Sequence, residues 1–466
     1  MFPPLTLEEA SRALRTGEAT SVELTQAALD RVAMLNDTVG AFLEVMAPSA
    51  LMSAEAVDAD FARGIDRSPL QGIPMGIKDV LATKDAPTTA NSLVLDPEWG
   101  DGYDAVVTER LRSAGAVLVG KLGLWEFAFG LPDPEKPFPI PRNPWDLERT
   151  PGSSSSGTGI AIATGMILAG IGTDTGGSVR LPAAYCNHTG LKVTYGRVPK
   201  WGCVPLAGSL DTIGPMARSA WGCAAVLNVI AGHDSRDITA SRVATEDYLA
   251  GIGNSIAGLK VGVPMEYFYE HPLLDPEHRA SSEKVIAALR DLGAEIVEVR
   301  LPHVAKAKEA IYITVLAEAY AHHRLDLTTR WSDYGRGFRN LIGQAVLLSA
   351  GDYAQAQRFR YWFAERVAEV MSKVDILVTP TVYESAARLD EMAGVQRIAQ
   401  PSYTGPFSLI GYPALAIPSG FSQSDFPLST QIVGAPFAEA TVLRVGHAYQ
   451  QITDHHLKAP EVLYSG

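Results

Sequence analysis

Apolar positions recur at helical spacing at the start of the chain. Leu7, Ala10 and Leu14 share one face, and Leu24, Ala28 and Val32 form a second stripe. Thr6 followed by Glu9 reads as a capping box, and Ser21 ahead of Leu24 offers another N-cap. Residues 1–65 are therefore expected to be an N-terminal helical segment that packs and carries no chemistry. From Pro69 the pattern changes to short apolar runs set between helical ones. Strand-like runs at 73–80, 116–120, 259–264, 294–299 and 374–380 alternate with helical stretches at 106–114 and 281–292, with Gly115 closing the first helix. That alternation predicts an α/β fold, an α/β/α sandwich around a large mixed, mostly buried sheet.

Two stretches break the alternation. Residues 131–144 hold six prolines, which exclude helix and central strand and predict a stiff surface loop. Residues 300–370 read as long helices rich in Ala, Arg and aromatics, a layer or lid added to the sandwich. The stretch 417–442 returns to strand-and-turn texture. The whole chain, 1–466, reads as one domain with its catalytic core at 66–235.

Composition narrows the partners. A 466-residue chain with 47% hydrophobic residues can bury a large core. A formal net charge of −13 with no dense basic run disfavours nucleic acid and anionic membranes. Cys186, Cys203 and Cys223 are odd in number and share no tight spacing, so neither a disulfide framework nor a metal site is expected. The N-terminus shows no signal-peptide pattern. The most apolar stretch, 160–171, is too short and too glycine-broken to span a bilayer. The cytoplasm is the default expectation, and a homodimer is left open.

The chemistry concentrates at 150–180, TPGSSSSGTGIAIATGMILAGIGTDTGGSVR. A serine after Gly-Gly can sit on a tight turn, so Ser178 is the candidate nucleophile. The amides of Thr175, Gly176, Gly177 and Ser178 can converge as an oxyanion hole. A serine needs a base. Lys78 lies inside the apolar run 70–79, and a buried lysine loses its charge readily. His188 stays open on spacing alone, although Cys186-Asn187-His188 reads more simply as a structural turn. An ion pair with Asp79 is the plain alternative for Lys78, and a helix cap the plain alternative for Ser178. Asp174 is expected to brace the loop. Arg180 and Arg197 read as structural, with Arg197 a candidate for lining the site. Gly157-Thr158-Gly159 resembles the start of a dinucleotide fingerprint, but position 162 is Ile and the strand order is wrong.

Three blocks in this order resemble the amidase signature family: GIPMGIKD at 72–79, TPGSSSSGTG at 150–159 and GTDTGGSVRLPAA at 172–184. Further matches run through 190–202, 209–219 and 375–381. The resemblance implies that family's fold and a Ser-Ser-Lys triad of Ser178, Ser154 and Lys78, acting through an acyl-Ser178 intermediate without a cofactor. It also implies a cis peptide bond before the bridging serine. Two family glycines are serine here, at Ser153 and Ser156, which leaves Ser155 in reserve as the bridge. An ordinary lysine, with a pKa near 10.4, would carry a handicap of roughly 4 kcal/mol at neutral pH, which burial must remove.

The family includes free-standing amidases and A-type subunits of tRNA-dependent amidotransferases, which supply ammonia from glutamine. Two departures from the subunits favour the free-standing reading. Leu181 stands where the subunits usually carry Gln, and the proline-rich loop replaces their GxxTxNxxFG run. The expectation is therefore an amidase acting alone on small, apolar amides, anilides, esters or carbamates. Tyr312, Leu316, Tyr320, Trp331, Phe338 and Leu341 are expected to wall an apolar pocket, with ordinary core packing as the plainer alternative. The proline-rich loop is expected to edge its entrance. The amidotransferase subunit is the alternative.

Overall fold

The computed structural model describes residues 5–392 and 400–463; residues 1–4 of the N-terminal segment lie outside them. Three helices open the described chain, α1 (Leu7–Thr16), α2 (Ser21–Val39) and α3 (Ala47–Ala62). Thr6 and Glu9 form the capping box of α1, and Gly17 closes the helix in the left-handed region at φ 73°. The second cap falls one residue before the expected Ser21. Thr20 caps α2 reciprocally with Glu23, while the Ser21 hydroxyl turns inward to donate to the Gly72 carbonyl at 3.1 Å. The segment is also not wholly helical. Strand β1 (Phe42–Val45) lies between α2 and α3, four residues that pair with a later strand and show no period of their own.

The chain then alternates: β2 (Pro74–Lys78), α4 (Val106–Ser113), β3 (Val117–Leu122), α5 (Ser156–Ala163), β4 (Ala169–Asp174), α6 (Arg180–Cys186), β5 (Thr189–Lys192), β6 (Thr212–Ala217) and α7 (Ala220–Ile230). After these come β7 (Lys260–Pro264), α8 (Met265–Phe268), α9 (Pro276–Asp291), β8 (Glu295–Val299), α10 (Ala307–Thr329), α11 (Arg336–Ile342), α12 (Ala350–Met371) and β9 (Ile376–Pro380). The described chain closes through α13 (Gly405–Leu409), β10 (Ala414–Phe421), β11 (Pro427–Gly434) and α14 (Glu439–Gln450). The strand-and-turn texture expected through 442 therefore stops earlier, because Val442 faces the core from α14.

Eleven strands form one mixed sheet in the order β1-β3-β2-β4-β6-β5-β10-β11-β9-β7-β8, with helices on both sides. This is the expected α/β/α architecture. The β2–β3 and β2–β4 pairs are parallel, whereas β4–β6 is antiparallel. Every residue of β2, β3 and β4 is buried, so their sequences run mostly apolar without alternation, broken only near their C-terminal ends by Lys78, Lys121, Thr173 and Asp174. The stretch 160–171 is split between α5 and β4, and no helix among the described residues is long and apolar enough to cross a membrane. Gly157 and Gly159 sit in α5 for packing. A Cβ at Gly157 would meet the Ala41 carbonyl oxygen at 2.2 Å, which accounts for the glycine run without a nucleotide.

Candidate active site

Lys78 ends the central strand β2 and is fully buried. Its ammonium donates to Ser154 Oγ at 2.9 Å, Ser155 Oγ at 3.0 Å and Thr173 Oγ1 at 2.7 Å. All three are hydroxyls. The plain alternative, a pair with Asp79, is absent. Asp79 Oδ1 lies 2.9 Å from Lys121 Nζ, and its other oxygen accepts from Thr89. With no carboxylate in contact, burial lowers the Lys78 pKa to about 7. Thr173, the shortest contact, was not singled out from the sequence, although it lies inside the GTDTGGS block.

The two candidate bridging serines differ in how their hydroxyls are used. Ser155 Oγ donates to the Thr173 carbonyl at 3.2 Å and accepts from both the Thr173 amide at 3.2 Å and Lys78. One donor and two acceptors exhaust a hydroxyl. Ser155 is thereby stitched to β4. Ser154 follows the Ser153–Ser154 cis peptide bond, at the position the resemblance implied, and its Oγ accepts from Lys78. The Ser155 amide donates to the Ser178 carbonyl at 3.2 Å, which holds the serine loop against the turn after β4.

That turn carries Thr175, Gly176, Gly177 and Ser178 between β4 and α6. Gly177 has φ 141°, and a Cβ there would meet Thr404 Oγ1 at 2.5 Å. Asp174 organises the turn. Its oxygens accept from the Gly177 amide at 2.8 Å and the Val179 amide at 3.2 Å, and Arg180 grips both oxygens at 3.0 and 3.1 Å. Burial works against the charge on Asp174, but the Arg180 guanidinium outweighs it and holds the carboxyl below its ordinary range. The Gly177 amide is thus committed to Asp174. The oxyanion candidates narrow to the amides of Thr175, Gly176 and Ser178.

Ser178 is half-buried and opens onto a cavity of ≈ 430 Å³. Trp125, Phe129, Ile311, Tyr312, Ile313 and Leu341 supply its apolar wall. Of the six residues expected there, Tyr312 and Leu341 line it. Leu316 and Phe338 are buried in the core instead, Phe338 stacked on Tyr334; Tyr320 packs half-buried against that core, and Trp331 is solvent-exposed. The proline-rich loop edges a neighbouring cleft with Arg336 and Asn340; only the residues just before it, Phe129 and Gly130, reach the Ser178 cavity. Lys308 and Glu309, which no motif announced, also line that cavity.

The remaining candidates lie elsewhere. His188 follows Asn187, the left-handed cap of α6; its Nδ1 sits 3.1 Å from the Thr189 carbonyl, and burial drops its pKa to about 4. Arg197 faces Glu439 and the carbonyls of Val243 and Ala244. Among the described residues no cluster of three His, Cys, Asp or Glu side chains could hold a metal ion.

Known proteins resemble the chain over nearly its full length. The A subunit of glutamyl-tRNA(Gln) amidotransferase from Chloroflexus aggregans is 42% identical, covering 98% of this chain and 98% of that protein. The crystal structure of the same-named protein from Thermotoga maritima matches with a TM-score of 0.80 at 33% identity, covering 96% of this chain and 94% of that one. A chain from a vestigial protein complex tied to the origins of an s-triazine catabolic enzyme superposes with a TM-score of 0.89 at 30% identity, covering 96% and 98%. These likenesses overturn the expectation of a free-standing amidase without protein partners and favour the alternative. Leu181 and the proline-rich loop are two local departures, outweighed by identity spread along the chain. The net charge bears on direct contact between this chain and RNA, and not on an assembly in which another protein holds it. The amidase family model matches residues 23–443, and the chain belongs to that family, whose members hydrolyse carbon–nitrogen bonds of amides.

Proposed function

We propose that this chain is the ammonia-releasing component of a tRNA-dependent amidotransferase, hydrolysing the side-chain amide of glutamine through an acyl-Ser178 intermediate. The observation that carries the reading is the full-length likeness, at 42% identity, to an amidotransferase A-type subunit.

The side chains support a Ser-Ser-Lys relay. Neutral Lys78 takes the proton of Ser154, and Ser154 takes that of Ser178 as Ser178 Oγ bonds to the amide carbon. The amides of Thr175, Gly176 and Ser178 hold the oxyanion. The relay then returns a proton to the departing nitrogen, and ammonia leaves behind a glutamyl ester on Ser178. Water attacks the ester, giving its proton to the same relay, and glutamate departs while Ser178 recovers its hydrogen. Ser154 suits the bridge because the Ser155 hydroxyl is spent on Thr173 and Lys78. The reading puts the chain in the cytoplasm, in keeping with three free cysteines.

The test measures ammonia and glutamate released from glutamine by the purified chain, alone and with co-expressed partner subunits. Turnover that disappears in Ser178→Ala supports the proposal. Failure to use glutamine in either state, with anilides or carbamates turned over instead, would refute it.

A further inference from the structure

We propose that Lys308 anchors an anionic group of the substrate, so that the Ser178 site selects amides carrying a carboxylate a few bonds from the scissile carbonyl. The inference deepens the glutamine reading and rests on it only for Ser178 as the reacting centre.

Two cavities meet above the serine turn. The larger, ≈ 430 Å³, contains Ser178 and is mostly apolar. The smaller, ≈ 260 Å³, sets Thr150, Tyr185 and Thr381 among apolar side chains such as Leu181 and Val382, and its one carboxylate, Glu384, is exposed and accepts from the Tyr383 hydroxyl. Trp125, Ser153, Gly176, Lys308 and Ser402 line both, and Lys308 is the one charged residue in that shared wall. It sits in the first turn of α10, half-buried, with an N–H directed at the Gln400 carbonyl. Glu309, its neighbour in the larger cavity, is exposed. Burial lowers the Lys308 pKa, against the pull of Glu309, which marks an ammonium partly stripped of water.

A partly desolvated cation gains most from an anion brought into the same low-dielectric space. A wholly apolar amide would fill the larger cavity and make no use of that ammonium. A substrate carboxylate placed at the junction would meet it while the amide end reaches Ser178. The α-carboxylate of glutamine has this chemistry, as does any short ω-amide of a dicarboxylic acid.

The competing account is that Lys308 only tethers the segment at Gln400. The experiment separates the two by selectivity. The ratio of kcat/KM for glutaramate, the mono-amide of glutaric acid, to that for pentanamide is measured in wild type, Lys308→Met and Lys308→Arg. Loss of a charge partner at a binding site predicts a fall of about 30-fold in Lys308→Met, carried by KM, with Lys308→Arg retaining most of the ratio. A second readout is glutarate binding to Ser178→Ala by calorimetry, which should weaken about tenfold or more when Lys308→Met is added. An unmoved ratio, equal glutarate affinity, or a wild type that prefers pentanamide or leaves glutaramate untouched overturns the assignment. Turnover of glutaramate with none of glutamine, alone or with partners, sinks the amidotransferase reading and leaves Lys308 standing. Turnover of glutamine with an unmoved ratio does the reverse.

Discussion

Lys121 Nζ lies 2.9 Å from Asp79 Oδ1, and neither side chain reaches solvent. The pair joins neighbouring parts of the sheet: Asp79 directly follows Lys78, the last residue of β2, and Lys121 lies in β3 opposite Ile77 of β2. Lys121 also donates to Thr88 Oγ1 at 2.7 Å, and Asp79 accepts from the Thr89 amide at 2.9 Å. The carboxylate nearest Lys78 in sequence is therefore satisfied by another lysine. Lys78 faces only hydroxyls, the condition under which burial can depress its pKa.

Breaking that pair should be costly. Lys121→Met leaves Asp79 buried without its cation, and such losses run at about 3–5 kcal/mol. The expected readout is a clear drop in Tm. Lys121→Met combined with Asp79→Leu should recover part of it, because replacing both charges removes the uncompensated one. A double variant no more stable than Lys121→Met would show that the pair is not the source of the loss.

The Lys78 pKa gives a pH profile with a definite sign. In the proposed relay Lys78 acts when neutral, so kcat/KM should be low in acid and rise through an apparent pKa of about 7 to a plateau. The same group affects stability. Its folded pKa lies below its unfolded value, so between about 7 and the ordinary lysine value near 10.4 the unfolded chain binds more protons and stability rises with pH. Lys78→Met should flatten this contribution. A rate profile without an acid limb, together with full activity in Lys78→Ala, would remove Lys78 from the mechanism.

Ser154 and Ser155 should separate by kind of damage. Ser178→Ala and Ser154→Ala are each expected to lose about a thousandfold or more in kcat with little change in Tm, as when members of a catalytic unit are removed. Ser155→Ala strips the Thr173 amide and carbonyl of their side-chain partner. It should therefore lower Tm, by about 1–3 kcal/mol of stability, more than Ser154→Ala does. Equal thermal effects with the larger rate loss in Ser155→Ala would exchange the two roles.

These contrasts mark what could be read from residue types alone. Lys78 stands out because a lysine in an apolar run needs a reason, and Ser178 because Gly-Gly before a serine signals a tight turn. The strands of the parallel core are legible as short apolar runs, since they are buried on both faces and only their C-terminal ends carry polar residues. β1 was not. Its four residues take their structure from pairing with β3, a contact remote in sequence. The commitment of the Gly177 amide to Asp174 depends on how the turn closes, which spacing does not specify. Lys308 belongs to no motif and gains meaning only where two cavities join. Leu181 and the proline-rich loop pointed to a free-standing amidase, but they are two local features, whereas the likeness to the amidotransferase proteins is spread along the whole chain.

Gly177 offers the sharpest test of the turn. At φ 141° it occupies a region that L side chains rarely adopt, and a Cβ would meet Thr404 Oγ1 at 2.5 Å. Thr404 cannot easily retreat, since its hydroxyl donates to the Gly176 carbonyl at 2.7 Å. Gly177→Ala must therefore shift either the turn or Thr404. A shifted turn displaces Ser178 and the amides of Thr175 and Gly176, the nucleophile and oxyanion donors of the proposed relay. Backbone strain of this sort costs about 1–3 kcal/mol, and a misplaced nucleophile about a hundredfold in rate. Both should appear together: a lower Tm, and slow labelling of Ser178 by a fluorophosphonate. Thr404→Ser keeps the hydroxyl and removes only a methyl, so it should leave labelling close to wild type. Wild-type labelling in Gly177→Ala would mean that the turn tolerates a side chain and that Ser178 is positioned by something other than the Asp174 brace.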